Sequence, residues 1–107
     1  MIYEHRIYDA APGKLEELHN RFRNHTLKFF EKHGIKPIAF FTTVVGTSNQ
    51  LNFILAFESL AERERIWNGF MADQDWQKAL RDSNANGPIV LKMENKIYSP
   101  TDYSPLK

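Results

Sequence analysis

Apolar residues in this chain recur at a period of two, then of about 3.6. Two neighbouring stretches of period two follow, and then the helical and strand periods once more. That order, β-α-β-β-α-β, leaves few folds open. The economical solution is the ferredoxin-like plait, an α+β fold with helices on one face of a four-stranded antiparallel sheet. The length agrees: 107 residues form one domain, and a chain of that size buries a working core. The expectation is a single domain over 1–107 with an extended tail over 99–107.

The first strand, Tyr3-Glu4-His5-Arg6-Ile7-Tyr8, divides its side chains by alternation. Tyr3, His5 and Ile7 share one face, and Glu4, Arg6 and Tyr8 the other. Pro12 suits the first turn of a helix. The inward stripe of that helix is expected at Leu18, Phe22, His25 and Phe29, and Gly34 is expected to close it. Strand two is expected over 35–45 and strand three over 51–57, with a hairpin connection between them. Ser59-Leu60-Ala61-Glu62 reads as a capping box before a helix that carries Ile66, Trp67 and Phe70. Asp73 caps a shorter helix with Trp76 and Leu80, and the last strand covers 89–98. Pro37 and Pro88 cannot donate to a ladder. They fall on strands two and four, the edge strands of the plait.

Strands two and four carry apolar residues on both parities, and the helices of a plait cover only one sheet face. An open apolar face is costly for a monomer, and a two-fold copy is the simplest cover. The expectation is a homodimer with two sheets packed face to face. The competing cover is the tail of the same chain. A formal charge of +1 without a basic run argues against nucleic acid or a membrane as partner. The absence of cysteine excludes disulfides and thiolate chemistry. No apolar run approaches a membrane span and no secretory layout opens the chain, so the cytoplasm is the expected compartment.

Two places could carry chemistry. The first is a helix-side pocket, where His5 and His25 are expected to meet Trp67 and hold a small apolar or aromatic ligand. The alternative for each His is a satisfied core residue. The second is the space between the two packed sheets, where Glu4, Arg6 and Tyr8 are expected to face the partner sheet with Asn52 and Glu58. There they would bind an anion, or Glu4 and Arg6 would neutralise each other across neighbouring strands or across the dimer. Paired histidines at metal-ligand spacing and Gly-rich phosphate loops are missing, so no metal and no cofactor is expected.

Tyr3-Glu4-x-Arg6-x-Tyr8 and Pro12-Gly13-Lys14 resemble the start of the NIPSNAP family. So do Glu31-Lys32-His33-Gly34, Ser59-Leu60-Ala61-Glu62-Arg63 and the closing Ser104-Pro105-Leu106. The chain departs from the family pattern at His5, where an apolar residue is common, and in strand three, where Phe53 and Leu55 replace polar positions. The resemblance implies the dimeric α/β-barrel group, whose members include small monooxygenases, isomerases and haem-degrading enzymes. It implies no settled reaction. The function expected is small-molecule binding in a homodimeric barrel. The alternatives are a cofactor-independent monooxygenase or isomerase acting on an aromatic substrate, and a protein-interaction module.

Overall fold

A computed structural model describes all 107 residues. Strand β1 (Ile2–Ala10) leads into α1 (Leu15–Arg21), a π-helical turn (Phe22–Thr26) and α2 (Leu27–His33), which together form one continuous helix. Strands β2 (Lys36–Thr42) and β3 (Gln50–Phe57) follow, then α3 (Leu60–Ala72), α4 (Gln74–Ser83) and β4 (Val90–Tyr98). The sheet order is β2-β3-β1-β4 with every neighbouring pair antiparallel. This is the expected plait, and both prolines belong to its edges. Pro37 lies in edge strand β2, beside a register shift, and Pro88 precedes edge strand β4.

The helix ends follow the sequence closely. Gly34 is left-handed (φ 77°), and two backbone bonds close the turn: Gly34 N–H to Glu31 (3.2 Å) and Ile35 N–H to Phe30 (2.9 Å). This is the paired C-terminal motif in which a residue past the glycine packs back onto the last turn. Ile35 and Phe30 are both buried in the core. A Cβ on Gly34 would meet nothing within 4 Å, so only the backbone conformation opposes it. Gly34→Ala is therefore expected to cost about 1 kcal/mol in urea denaturation.

Ser59 Oγ accepts from the Glu62 amide at 3.1 Å. The reciprocal half of the capping box does not form, because the Glu62 carboxylate binds Arg65 instead. Asp73 caps α4 through the amides of Asp75 (2.9 Å) and Trp76 (3.3 Å). It also pairs with Lys32 (2.8 Å) and His33 (2.7 Å), tying the end of α2 to the α3–α4 junction.

The core lies between the sheet and the helices and is largely aromatic. Phe53, with no exposure, sits at its centre, 5.1 Å from the Tyr8 ring and 5.3 Å from those of Phe22 and Phe40. The opposite sheet face carries no helix. It presents Ile7, Ile54, Ala39 and Phe41 beside Lys92, Glu94 and Lys96. In β4, Val90 and Met93, which simple alternation would put on opposite faces, share one. A bulge opposite Asp9 and Ala10 pairs Val90 with Ala10 and Met93 with Tyr8, so both lie on the helix side. The tail reaches this open face only at one end, where the Tyr3 hydroxyl donates to the Lys107 carbonyl (2.6 Å). Tyr103 in the tail is exposed.

Candidate functional site

Cross-strand pairing decides which face of β1 is inward. Leu51, Phe53 and Leu55 form the apolar face of β3, and their partners on β1 are Tyr8, Arg6 and Glu4. Directly opposed residues share a face. Glu4, Arg6 and Tyr8 are therefore buried beneath the helices, and the expectation that they face a partner sheet is corrected. His5 is corrected with them. It lies on the open face, with Nε2 3.0 Å from Asn52 Oδ1, so Asn52 is also parted from Glu4.

Glu4 is completely buried and fully bound. Oε1 accepts from Arg63 Nε (2.7 Å). Oε2 accepts from Arg6 Nη1 (2.7 Å), Arg63 Nη2 (3.0 Å) and Asn95 Nδ2 (3.0 Å). Burial pushes its carboxyl pKa up. The bonds from Arg63 and Asn95, with the charge of Arg6, outweigh burial and leave it below the ordinary 4.5. The Arg6 guanidinium carbon stands 4.4 Å from the Trp67 ring centroid, stacked as guanidinium on indole. Arg6 Nε donates to the Tyr8 hydroxyl at 3.1 Å.

Beside this network is a cavity of about 120 Å³. Its walls are mainly apolar, with Phe22, Phe30, Trp67, Phe70 and Trp76 among them. Met71 and Met93, both substantially exposed, stand at its mouth. Its polar groups are Arg6, Tyr8, Thr26 and Arg21. Trp67 is where the sequence placed it.

His25 is not. It is exposed and belongs to a polar surface dent with Glu17, Asn24 and Ser83. The π turn is the reason. It holds one more residue than an α turn, so the inward stripe advances by one position, from the expected His25 and Phe29 to Thr26 and Phe30. Leu18, Phe22, Thr26 and Phe30 are the buried residues of that face. Thr26 Oγ1 donates to the Arg21 carbonyl, five residues back, at 3.4 Å.

Three further residues escaped the sequence reading. Arg63 and Asn95 complete the shell of Glu4. Arg21, 5% exposed, lines the cavity from α1. Its Nη1 makes two long contacts, to Ser83 Oγ (3.3 Å) and Asn84 Oδ1 (3.5 Å), and its buried Nε has no partner. Burial lowers its pKa, and Tyr8 is the one ionisable neighbour that opposes the shift. A signal for Arg21 existed: it follows Leu18 by three and precedes Phe22, on the flank of the apolar stripe.

The cavity can hold an apolar body against aromatic walls and meet a polar atom at its cationic end. Its free charged group is a donor, since the buried Arg21 Nε has no partner. Glu4 is held ionised and saturated, and no histidine lines the cavity. No group of three or more His, Asp or Glu is placed to hold a metal ion. No helix is long and apolar enough to cross a membrane.

The NIPSNAP family model matches residues 3–105. The chain is 26% identical over 106 residues to the protein NipSnap homolog 1 of Danio rerio, covering 99% of this chain and 36% of that protein. It thus spans about a third of the length of that relative. Among solved structures, a NIPSNAP-like domain protein from Burkholderia xenovorans is 30% identical, with a TM-score of 0.87 over 97% of this chain and 88% of that one. A NIPSNAP family protein from Agrobacterium tumefaciens is 28% identical, with a TM-score of 0.89 over 99% and 98%. A putative antibiotic biosynthesis monooxygenase from Nitrosomonas europaea, 11% identical over 94% of this chain and 98% of that one, shares the fold with a TM-score of 0.64. A match over nearly the whole chain, with closely similar structures of the same family, is sufficient: this chain belongs to the NIPSNAP family.

Proposed function

We propose that this protein binds a small aromatic molecule in the cavity between its sheet and helices, and does so as a homodimer. The observation that carries the reading is the aromatic-walled cavity with exposed methionines at its mouth. At about 120 Å³ it is near the size of apolar cavities, ~150 Å³, that accept benzene. It suits a ligand of one ring, and flexible methionines at the mouth allow for substituents. The lining favours binding over proton transfer. A monooxygenase or isomerase acting by proton abstraction needs a base, and the one carboxylate beside the cavity is fully engaged by arginines.

The test is a ¹⁹F NMR titration with fluorobenzene. Saturable line broadening is expected for the wild type. Met71→Trp, which closes the mouth from an exposed position, is expected to weaken binding about tenfold or more. Broadening that does not saturate, or that Met71→Trp leaves unchanged, would remove the cavity from consideration.

The dimer reading rests on the open sheet face. Phe41 is 53% exposed there, and Ile7, Ile54 and Ala39 are only partly covered. The radius of gyration, 14.5 Å, exceeds the roughly 13 Å of a compact chain this long. A second copy laid face to face would cover those residues and form the barrel that the family resemblance implies. Sedimentation is expected to give twice the 12.5 kDa chain mass. Ile54→Glu, in the middle of the open face, is expected to sediment as a monomer that remains folded. A monomeric wild type would end this part of the reading.

A further inference from the structure

The buried charges beneath the helices do not balance. Glu4 is one carboxylate, and both of its oxygens are occupied by Arg6, Arg63 and Asn95. Arg21 is a further buried guanidinium, and no carboxylate lies within ion-pair distance of it. Buried charges are ordinarily paired, because desolvation of an unpaired ion is expensive. An Arg with a partnerless Nε and two long contacts to neutral oxygens is a departure from that rule. It lies between the aromatic-lined cavity, close to Tyr8, and the surface dent that holds Glu17 and Ser83. The Tyr8 oxygen already accepts from Arg6 Nε, so its hydroxyl proton remains available to a third group.

We propose that the ligand of this cavity is an aromatic carboxylate of about one ring, whose carboxylate supplies the missing counter-ion of Arg21. The proposal rests on the cavity reading above and deepens it. The ring lies against the aromatic walls, and the carboxylate meets the Arg21 guanidinium and the Tyr8 hydroxyl. Guanidinium geometry suits a carboxylate because two N–H groups can donate in parallel. Arg6 has a different task. Its charge is already met by Glu4, and it holds the Tyr8 oxygen as an acceptor.

Three probes of similar size separate the two readings in the same ¹⁹F NMR titration: fluorobenzene, 4-fluorobenzyl alcohol and 4-fluorobenzoate. The benzoate is expected to bind about tenfold or more tightly than the neutral alcohol, as hydrogen bonds to a charged group imply. Arg21→Gln is expected to abolish that preference while fluorobenzene binding persists. Arg21→Met serves as the second variant. Removing an unpaired buried charge is expected to leave its melting temperature at or above that of the ligand-free wild type. If fluorobenzene binds and the benzoate shows no advantage, the counter-ion proposal is wrong and the cavity reading survives. If the advantage survives both Arg21 variants, Arg21 is not its source. If no probe binds, both readings fall together.

Discussion

Glu4→Gln is expected to lower the unfolding free energy by about 3–5 kcal/mol in urea denaturation, the loss typical when one partner of a buried ion network is removed. The size follows from the geometry. Glu4 has no exposure, and two guanidinium groups and an amide donate to its oxygens. Glutamine keeps the volume but replaces an acceptor oxygen with a donor that points at arginines. Arg6 and Arg63 would then share no carboxylate, with Trp67 stacked against both. A loss under about 1 kcal/mol would mean that the arginines are as well served by water.

The same network has a pH signature. Glu4 is held below its ordinary 4.5 in the folded chain. A carboxyl depressed by folding stabilises the fold above its unfolded pKa, and that contribution is lost as pH falls through the folded value. Wild-type stability is therefore expected to decline below about pH 4.5, with a flatter decline in Glu4→Gln. Asp73 contributes to the same acid loss, since hydrogen bonds from Lys32 and His33 hold it well below the usual carboxylate range. The part of the decline that persists in Glu4→Gln includes the Asp73 share.

Phe53→Ala is expected to cost about 3–5 kcal/mol, and Phe53→Leu less than half of that. Phe53 stands on the inner strand β3, unexposed, with Tyr8, Phe22 and Phe40 around its ring at 5.1–5.3 Å. Truncation leaves a hole that the sheet cannot close, because β3 is held on both sides by β1 and β2. The hole also adjoins Phe22, Phe30 and Tyr8, which line the cavity. Phe53→Ala is thus expected to enlarge the site, and fluorobenzene binding measured beside denaturation would report it. An unchanged stability would show that the aromatic cluster is less tightly interlocked than its ring distances indicate.

The same position illustrates where sequence reasoning succeeded and where it failed. The apolar set Leu51, Phe53, Leu55 and Phe57 is plain from alternation, and it is buried. Its partner set on β1, Glu4, Arg6 and Tyr8, lies on the same face, opposite to the one expected from the sequence. Glu4 and Arg6 pair with each other two residues apart, but the partners that complete the shell of Glu4 are distant: Arg63 is 59 residues away and Asn95 is 91. Alternation divides a strand into two faces but does not say which one is inward. His25 failed for a different reason. A helical stripe assumes an unbroken period, and one π turn moves every later position by one.

What the sequence alone determined is the order of elements, the helix ends and the family. These depend on local chemistry: apolar period, the Ser59 and Asp73 caps, the left-handed Gly34 and the edge prolines. Each acts over a few residues and can be read there. What only the tertiary structure decided is the site. The inward face of β1 was set by register with β3, the inward stripe of the first helix by the π turn, and the shell of Glu4 by residues from α3 and β4. Arg21 is solitary only in the context of the folded chain, where the other buried charges, Glu4 and Arg6, have each other. The lack of a partner is a non-local property of the folded chain, and no window along the sequence contains it.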